Sequence, residues 1–424
     1  MNITMTVFGT RGDVQPMVAL GKGLQVAGHR VKLLTHQEFE TFVRDAGLDF
    51  HLLPGVDMKA MVGRATEHAA RKGAKGNQAI QGIQALRRLK ADIPVMGDAY
   101  LEACRGAELI ISNPVLPAVP DSVAEKLAIP LVIAALQPFD MTAEFPFPWL
   151  HLRSFGHLLN RWSYPLMSLA AWPPLAAPVN RWRQAHLALP ALPITFLLRR
   201  LHSTIPRLYG FSAHVIPKPR DWKAHSHITG YWFLQRAEQW QPPKALVDFL
   251  EAGPPPVAVG FSSIVVKNPE ESTGIIVQAL TRAKQRGVIL TGWGGIQQSD
   301  LPDHILKIDA APHDWLFPRM TAVVHHGGAG STAAGVCAGV PAIIIPFMMD
   351  QPFWAQRVRD LGVGPQPIPR GKLTVERFAA ALETAVSDSG MRQRAAELGS
   401  KIRQEDGVAN AVACIQQILS TGTI

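Results

Sequence analysis

The stretch from Thr321 to Gln351, TAVVHHGGAGSTAAGVCAGVPAIIIPFMMDQ, constrains the fold of this chain more than any other. It begins with a short apolar run, Ala322 to Val324, of the kind that forms a buried parallel strand. Two histidines and three glycines follow within six residues: His325, His326, Gly327, Gly328 and Gly330. Ser331 and Thr332 then open a helix of small residues, Ala333 to Ala338, which stops near Gly339 and Pro341. A second apolar strand, Ala342 to Ile345, leads to Pro346 and the polar pair Asp350 and Gln351. Strand, glycine turn, helix start and strand make a nucleotide-binding half-unit. Glycines let the backbone approach a diphosphate, and the unpaired N–H groups of a first helical turn point at it. A histidine at the end of the strand adds a donor to the same anion. This stretch is expected to hold phosphate.

At 424 residues the chain exceeds one ordinary core, so two domains are expected. A hydrophobic content of 47% with 18% charged residues describes a globular protein. Cys104, Cys337 and Cys414 are scattered and odd in number, which argues against a disulfide framework or a zinc site and fits a reducing cytoplasm. The start, MNITMTVFGTRGD, does not read as a secretory signal. No apolar run approaches the roughly 18 to 20 residues of a spanning helix. The net charge of +9 favours anionic partners, a nucleotide or a membrane surface among them. Its basic residues are dispersed, as on solvated faces, and a nucleic-acid partner is not expected.

In chain order, a strand Ile3 to Phe8 is followed by the turn Gly9-Thr10-Arg11-Gly12-Asp13, a helix from about Val14 to Ala27, and a strand Arg30 to Thr35. Pro16 near the helix start and Gly28 past its end are the usual punctuation of such a βαβ unit. A strand Leu109 to Ser112, a helix Asp121 to Leu127 and a strand Leu131 to Ala135 continue the series, and Ala60 to Arg105 reads as helical. The N-terminal half is therefore a parallel sheet with helices on both faces. Val215 to Pro256 is irregular and proline-rich, the mark of a linker. A second βα series starts at Val257 to Phe261 with the turn Ser262-Ser263, and runs through a helix Pro269 to Arg286 and a strand Val288 to Thr291. The expected domains are residues 1–217 and 218–405, with a last helix in 406–424 returning to the first.

Phe145 to Pro193 breaks the rhythm. It holds four of the ten tryptophans, Trp149, Trp162, Trp172 and Trp182, among Arg153, Arg161, Arg181 and Arg183. Three readings are open for it: the lining of an apolar substrate cleft, a peripheral contact with a membrane interface, or an ordinary helical insertion over the sheet.

The glycine turn also has competing readings. Gly328-Ala329-Gly330-Ser331-Thr332-Ala333 satisfies the dinucleotide pattern G-x-G-x-x-G/A, and Asp350 lies where a ribose-binding acid would sit, so an NAD enzyme is a rival. That scheme gives His326 and Gln351 no role. Asp13 suits an N-cap of the first helix, and a cap on a strand-to-helix turn also presents its side chain to the carboxyl end of the sheet.

The pieces Gly9 to His36, Ala311 to Phe317 and His325 to Val358 resemble the nucleotide-sugar glycosyltransferases with two Rossmann-like domains facing each other across a cleft, the GT-B type. The likeness is to the sterol glucosyltransferases and their bacterial relatives, with glycopeptide and macrolide transferases a more distant branch. It covers essentially the whole chain in order, although Phe145 to Pro193 carries no informative match. The resemblance implies a UDP-glucose donor in the C-terminal domain. His326, Gly328, Gly330, Ser331 and Thr332 match residues that receive the diphosphate, and Ser262 and Ser263 match a loop that approaches it. Asp350 and Gln351 match the pair that holds the sugar hydroxyls, and His313 and Trp315 fall where the uridine lies. Ala310 stands where many relatives place an aromatic ring on the uracil, so dTDP remains a rival to UDP.

The implied reaction is an inverting displacement of the nucleotide by an acceptor hydroxyl, with Asp13 matching the family's general base. Negative charge on the leaving diphosphate would be met by the helix N-terminus and His326, with no metal and no cofactor beyond the donor substrate. The chain contains no Asp-x-Asp pair. The expected partners are a nucleotide sugar and a lipophilic acceptor such as a sterol, triterpenoid or polyketide. A nucleotide-sugar isomerase or hydrolase would share the fold, and so would a silent binding partner of another transferase. The tryptophan-rich segment speaks against the first, and the presence of Asp13 and His326 against the second.

Overall fold

The structure, a computed structural model, describes residues 1–58, 60–61, 89–150, 154, 156–234, 240–261, 269–291 and 301–421. The chain divides into two compact units. Among the described residues, the first holds the chain up to residue 234 together with residues 405–421, and the second holds residues 240–404.

The first unit is built on seven parallel strands: β1 (Asn2–Thr6), β2 (Arg30–Thr35), β3 (Asp49–Leu52), β4 (Leu109–Ser112), β5 (Leu131–Ala135), β6 (Arg207–Tyr209) and β7 (Ser226–Ile228), in the order β3-β2-β1-β4-β5-β6-β7. Central strands β4 and β5 are buried along their whole length, which is why they read as continuous apolar runs. The helices Arg11–Val26 and Ile93–Cys104 send Val14, Met17, Leu20, Ile93, Met96 and Tyr100 into the core.

Strand β7 moves the end of this unit past residue 217. It pairs in register with β6, Arg207 to Ser226 and Tyr209 to Ile228, inside the stretch expected to be linker. That stretch also contains the helix Lys244–Glu251. The last helix, Gly407–Thr421, packs on Arg11–Val26, where a Cβ at Gly23 would collide with Val408.

In the second unit, β8 (Val257–Gly260), β9 (Gly287–Leu290), β10 (Ile305–Ile308), β11 (Ala322–His325) and β12 (Ala342–Ile344) are parallel in the order β10-β9-β8-β11-β12. Val257, Val259, Ile289, Val324 and Ile343 lie in its core beside Phe378 and Leu382 of the helix Val375–Ser387. In both sheets the first strand is flanked by the second and the fourth. The strand order therefore reverses beside the first strand, at β1/β4 and at β8/β11. Crevices at such switch points, outside the carboxyl ends of the strands, are where open α/β sheets bind ligands.

Candidate active site

At the first switch point the turn after β1 is built around Asp13. The helix opens at Arg11, earlier than the expected Val14, so Pro16 lies inside it. The N-cap is Thr10, and Asp13 is the third helical residue, the two forming a capping box. This corrects the reading of Asp13 as the N-cap itself: the Thr10 N–H donates to Asp13 Oδ2 at 2.8 Å. Gly9, at φ +154°, is required because a Cβ there would run into the Asp13 carboxylate.

Two further side chains hold this turn. Asn113, directly after β4, accepts the Phe8 N–H at 3.3 Å and donates its amide to the Phe8 carbonyl at 2.8 Å. His36, directly after β2, accepts the Gly9 N–H through Nε2 at 3.3 Å. Its ring is 1% exposed, and burial lowers its pKa to about 4. Neither residue belongs to the expected site. The available signal was a polar residue ending an apolar run at the edge of a switch point.

Because His36 must be neutral to accept that bond, acid should loosen the turn. The folded pKa lies below the ordinary 6.5, so this contribution is complete above pH 6.5 and is lost as pH falls toward 4. The expected result is a melting temperature that declines through that window, with a shallower decline in His36→Gln, whose amide oxygen can still accept from Gly9. Parallel pH curves for the two proteins would remove His36 from this role.

At the second switch point the chain leaves β11 through His325, His326, Gly327 and Gly328. His325 is buried, and its Nδ1 accepts the Gly327 N–H at 3.1 Å. Burial holds its pKa well below the usual histidine range. Gly327 sits at φ +88°, and a Cβ there would lie 2.7 Å from Ile344 and 3.1 Å from the Gln351 carbonyl. The glycine turn and the Asp350–Gln351 turn are thus in contact. At Gly328 a Cβ would strike His326 Nε2.

The helix opens at Ala329 with Gly328 as N-cap, earlier than the expected Ser331. Gly330 and Ser331 therefore lie in its first turn, where backbone N–H groups have no intrahelical acceptor. Thr332 donates its N–H to Gly328 at 2.9 Å, and its buried hydroxyl has no protein partner. His326 Nδ1 is likewise buried without a partner. Burial, with His313 as the second cause, lowers the His326 pKa to about 4, so the ring is neutral. From Thr321 to Met349 the chain carries no charged side chain. Backbone donors and two orphaned polar atoms, on a stretch without a carboxylate of its own, make an anion cradle.

Asp350 and Gln351 close the far side. The Gln351 amide oxygen accepts from Phe347 N–H at 2.7 Å and Met348 N–H at 3.0 Å, which fixes the turn. Asp350 Oδ2 accepts from Trp354 Nε1 at 2.8 Å. His313 opens a short helix and stacks on Phe317 at 4.3 Å, close enough to His326 to perturb it. Trp315 lies between Trp240, 5.3 Å away, and the Arg319 guanidinium, 4.3 Å above its ring. The structure therefore brings together His313, His326, Gly328, Gly330, Ser331, Thr332, Asp350 and Gln351 around one end of the sheet. Ser262 and Ser263 lie outside the described residues. Phe261, just before them, packs edge-on against Phe347.

Comparison with known proteins gives this geometry a family. Residues 3–146 match the glycosyltransferase family 28 N-terminal domain, and residues 288–413 match the C-terminal domain of erythromycin biosynthesis protein CIII-like proteins. Over 422 residues the chain is 37% identical to the sterol 3-beta-glucosyltransferase UGT80B1 of Arabidopsis thaliana, covering 97% of this chain and 67% of that protein. The chain belongs to the glycosyltransferase family of the sterol 3-beta-glucosyltransferases. It is 41% identical to UGT80A2 of the same plant, over 97% of this chain and 64% of that protein. A sterol 3-beta-glucosyltransferase of Emericella nidulans is 37% identical over the whole chain, which spans 30% of the fungal protein. The chain thus covers about two thirds of its plant relatives' length and under a third of the fungal one's.

Among solved structures, the kitacinnamycin glycotransferase superposes with a TM-score of 0.73 at 20% identity, each chain covered to 98%. Glycosyltransferase VinC, solved with DTDP, gives 0.68 at 20% identity, with 99% of this chain and 100% of that one covered. At those identities they show the fold, the GT-B class of two Rossmann-like units. Family membership also removes the NAD oxidoreductase reading of the same glycines. Among the described residues, no group of three or more His, Cys, Asp or Glu could hold a metal ion, and no helix is long and apolar enough to cross a membrane.

Proposed function

We propose that the protein transfers glucose from UDP-glucose to the hydroxyl of a lipophilic acceptor, a sterol, with inversion at the anomeric carbon. The observation that carries this is the cradle after β11, where the N-terminus of Ala329–Ala338, His326 Nδ1 and Thr332 Oγ1 offer donors on a stretch, Thr321 to Met349, that has no acid of its own. The plant and fungal relatives, sterol 3-beta-glucosyltransferases, supply the sugar and the acceptor class.

In this reading the acceptor oxygen attacks the anomeric carbon while the bond from that carbon to the β-phosphate oxygen breaks. The acceptor proton passes to the Asp13 carboxylate. Charge gathering on the leaving UDP meets the helix N-terminus and His326, which need no rearrangement to receive it, and no metal is invoked. His313 and Trp315 are assigned to the uridine, and Ser262 and Ser263 to the diphosphate. The free cysteines fit a reducing compartment, and a lipid-resident acceptor brings the enzyme to a membrane surface.

A thermal-shift panel with UDP-glucose, dTDP-glucose and NAD tests the donor, followed by transfer of labelled glucose to a sterol. A larger shift with dTDP-glucose would replace the donor, and no transfer with a bound UDP-sugar would replace the reaction.

The sugar assignment has its own prediction. Asp350→Asn keeps an acceptor for Trp354 Nε1, and Gln351→Glu keeps one for the Phe347 and Met348 N–H groups, so both should preserve the turn. Each is expected to impair use of UDP-glucose far more than binding of UDP. Equal losses for the two ligands in calorimetry would move Asp350 and Gln351 away from the sugar.

A further inference from the structure

The tryptophan-rich segment folds against its apparent amphipathicity. In the helix His157–Ala171 the buried residues are Asn160, Ser163, Tyr164 and Met167. Asn160 donates to the Ala143 carbonyl and to Ser154 Oγ, both at 3.0 Å, and Ser163 Oγ accepts the Phe147 N–H at 2.8 Å. Polar bonds thus anchor its inner face. Leu158, Trp162, Leu166 and Leu169 recur at helical spacing on the outer face, beside Leu159, and these five are between 47% and 69% exposed. Apolar side chains gathered in such a stripe mark a contact surface rather than scattered exposure.

The charge around the stripe identifies what covers it. From Phe145 to Arg220 the chain has no aspartate or glutamate. The buried Arg183 and Arg207 and the half-buried Arg200 take their acids from outside that span: Glu125, Asp140 and Asp121. Arg161 takes Asp221. Arg181 and Arg199 stand exposed on the helices Pro173–Trp182 and Phe196–Leu201, both packed against His157–Ala171. A protein partner matched to this face would have to be acidic and apolar together. An anionic bilayer is both, with headgroups for the arginines and acyl chains for a tryptophan flanked by leucines.

We infer that the outer face of His157–Ala171 is a membrane-docking surface for anionic lipid, entering the interface without crossing it. This narrows the segment's role. Trp172 and Trp182 are core residues, 1% exposed, bonded through Nε1 to the Pro193 carbonyl at 2.9 Å and Asp98 at 3.0 Å, and Arg183 is a core ion pair. Trp149 is half-buried against Phe139 and Phe147, and Trp162 is the exposed ring that faces the interface.

Flotation of the full chain with phosphatidylcholine vesicles, with and without phosphatidylserine, tests the inference in the absence of donor and acceptor. It is therefore independent of whether sugar is transferred. At low salt, binding to the serine-containing vesicles should exceed binding to neutral ones by at least about tenfold and fall steeply at high salt. Trp162→Ser with Leu166→Ser should lower it by a further factor of about ten or more while the thermal shift with UDP, which reports an intact fold, is unchanged. Absence of binding at low salt, or equal binding by the double variant, would overturn the proposal. A dimer in sedimentation that the same variant dissociates would give the surface to a second copy of the chain instead.

Discussion

Replacing Asp13 with asparagine should lower turnover by roughly 10²- to 10⁴-fold, the usual loss when a general base is removed, with UDP affinity unchanged. The substitution suits the geometry. In the native turn Asp13 Oδ2 accepts the Thr10 N–H at 2.8 Å, and an asparagine oxygen can accept the same bond. Gly9 already leaves room for a side chain of that shape. The helix start, the Asn113 clamp on Phe8 and the His36 contact with Gly9 are therefore retained, and what disappears is the carboxylate that would take the acceptor proton. Single-turnover transfer, calorimetry with UDP and a melting curve read the three consequences separately. Near-native turnover with a native pH profile would leave Asp13 as a capping residue alone. A large drop in melting temperature would show that asparagine fails to hold the turn, and Asp13→Glu would then not restore activity.

Central strands were legible in the sequence because burial on both faces makes them continuous apolar runs, as in Leu131 to Ala135. Helix starts were read late for a physical reason. Residues of a first turn are chosen for backbone donors and close approach, so Arg11-Gly12 and Ala329-Gly330 look like turn while already helical. Strand β7 was hidden because Ser226-His227-Ile228 is an edge strand of three residues, two of them polar, within a proline-rich run.

Of the residues named from motifs in the second unit, His313, His326, Gly328, Gly330, Ser331, Thr332, Asp350 and Gln351 lie around one end of the sheet, but their supports were not legible. His325 differs from its neighbour only in direction: Nδ1 turns back to the Gly327 N–H, whereas His326 Nδ1 has no protein partner. Asn113 and His36 act on a turn more than twenty residues away in sequence, which no local pattern encodes. In the aromatic segment, counting tryptophans could not separate Trp182 in the core from Trp162 in solvent. The spacing Leu158, Trp162, Leu166, Leu169 carried that signal.

His326→Ala should weaken UDP as well as UDP-glucose. A hydrogen bond to a charged group contributes about 1.5 to 3 kcal/mol, equivalent to roughly a 10- to 150-fold loss of affinity. The effect falls on UDP because His326 belongs to the glycine turn and the helix N-terminus, which would meet the diphosphate, and not to the Asp350–Gln351 turn assigned to the sugar. Its direction with pH follows from the same burial. With a pKa lowered to about 4, the ring is neutral at pH 7 and acts as an N–H donor, not as a cation, so its contribution should be flat from pH 8 down to the ordinary histidine range. A bound diphosphate favours the imidazolium, so proton uptake on UDP binding should emerge only as the solution becomes acid. Calorimetry in buffers of different ionisation heat detects that uptake, and it should vanish in His326→Ala. Since His326 Nε2 lies against Gly328, the variant also vacates space beside the turn, and a melting curve must accompany the titration. Unchanged UDP affinity in a folded His326→Ala protein would return this residue to a purely structural place beside His325, and would leave the backbone donors of Ala329–Ala338 to hold the diphosphate without it.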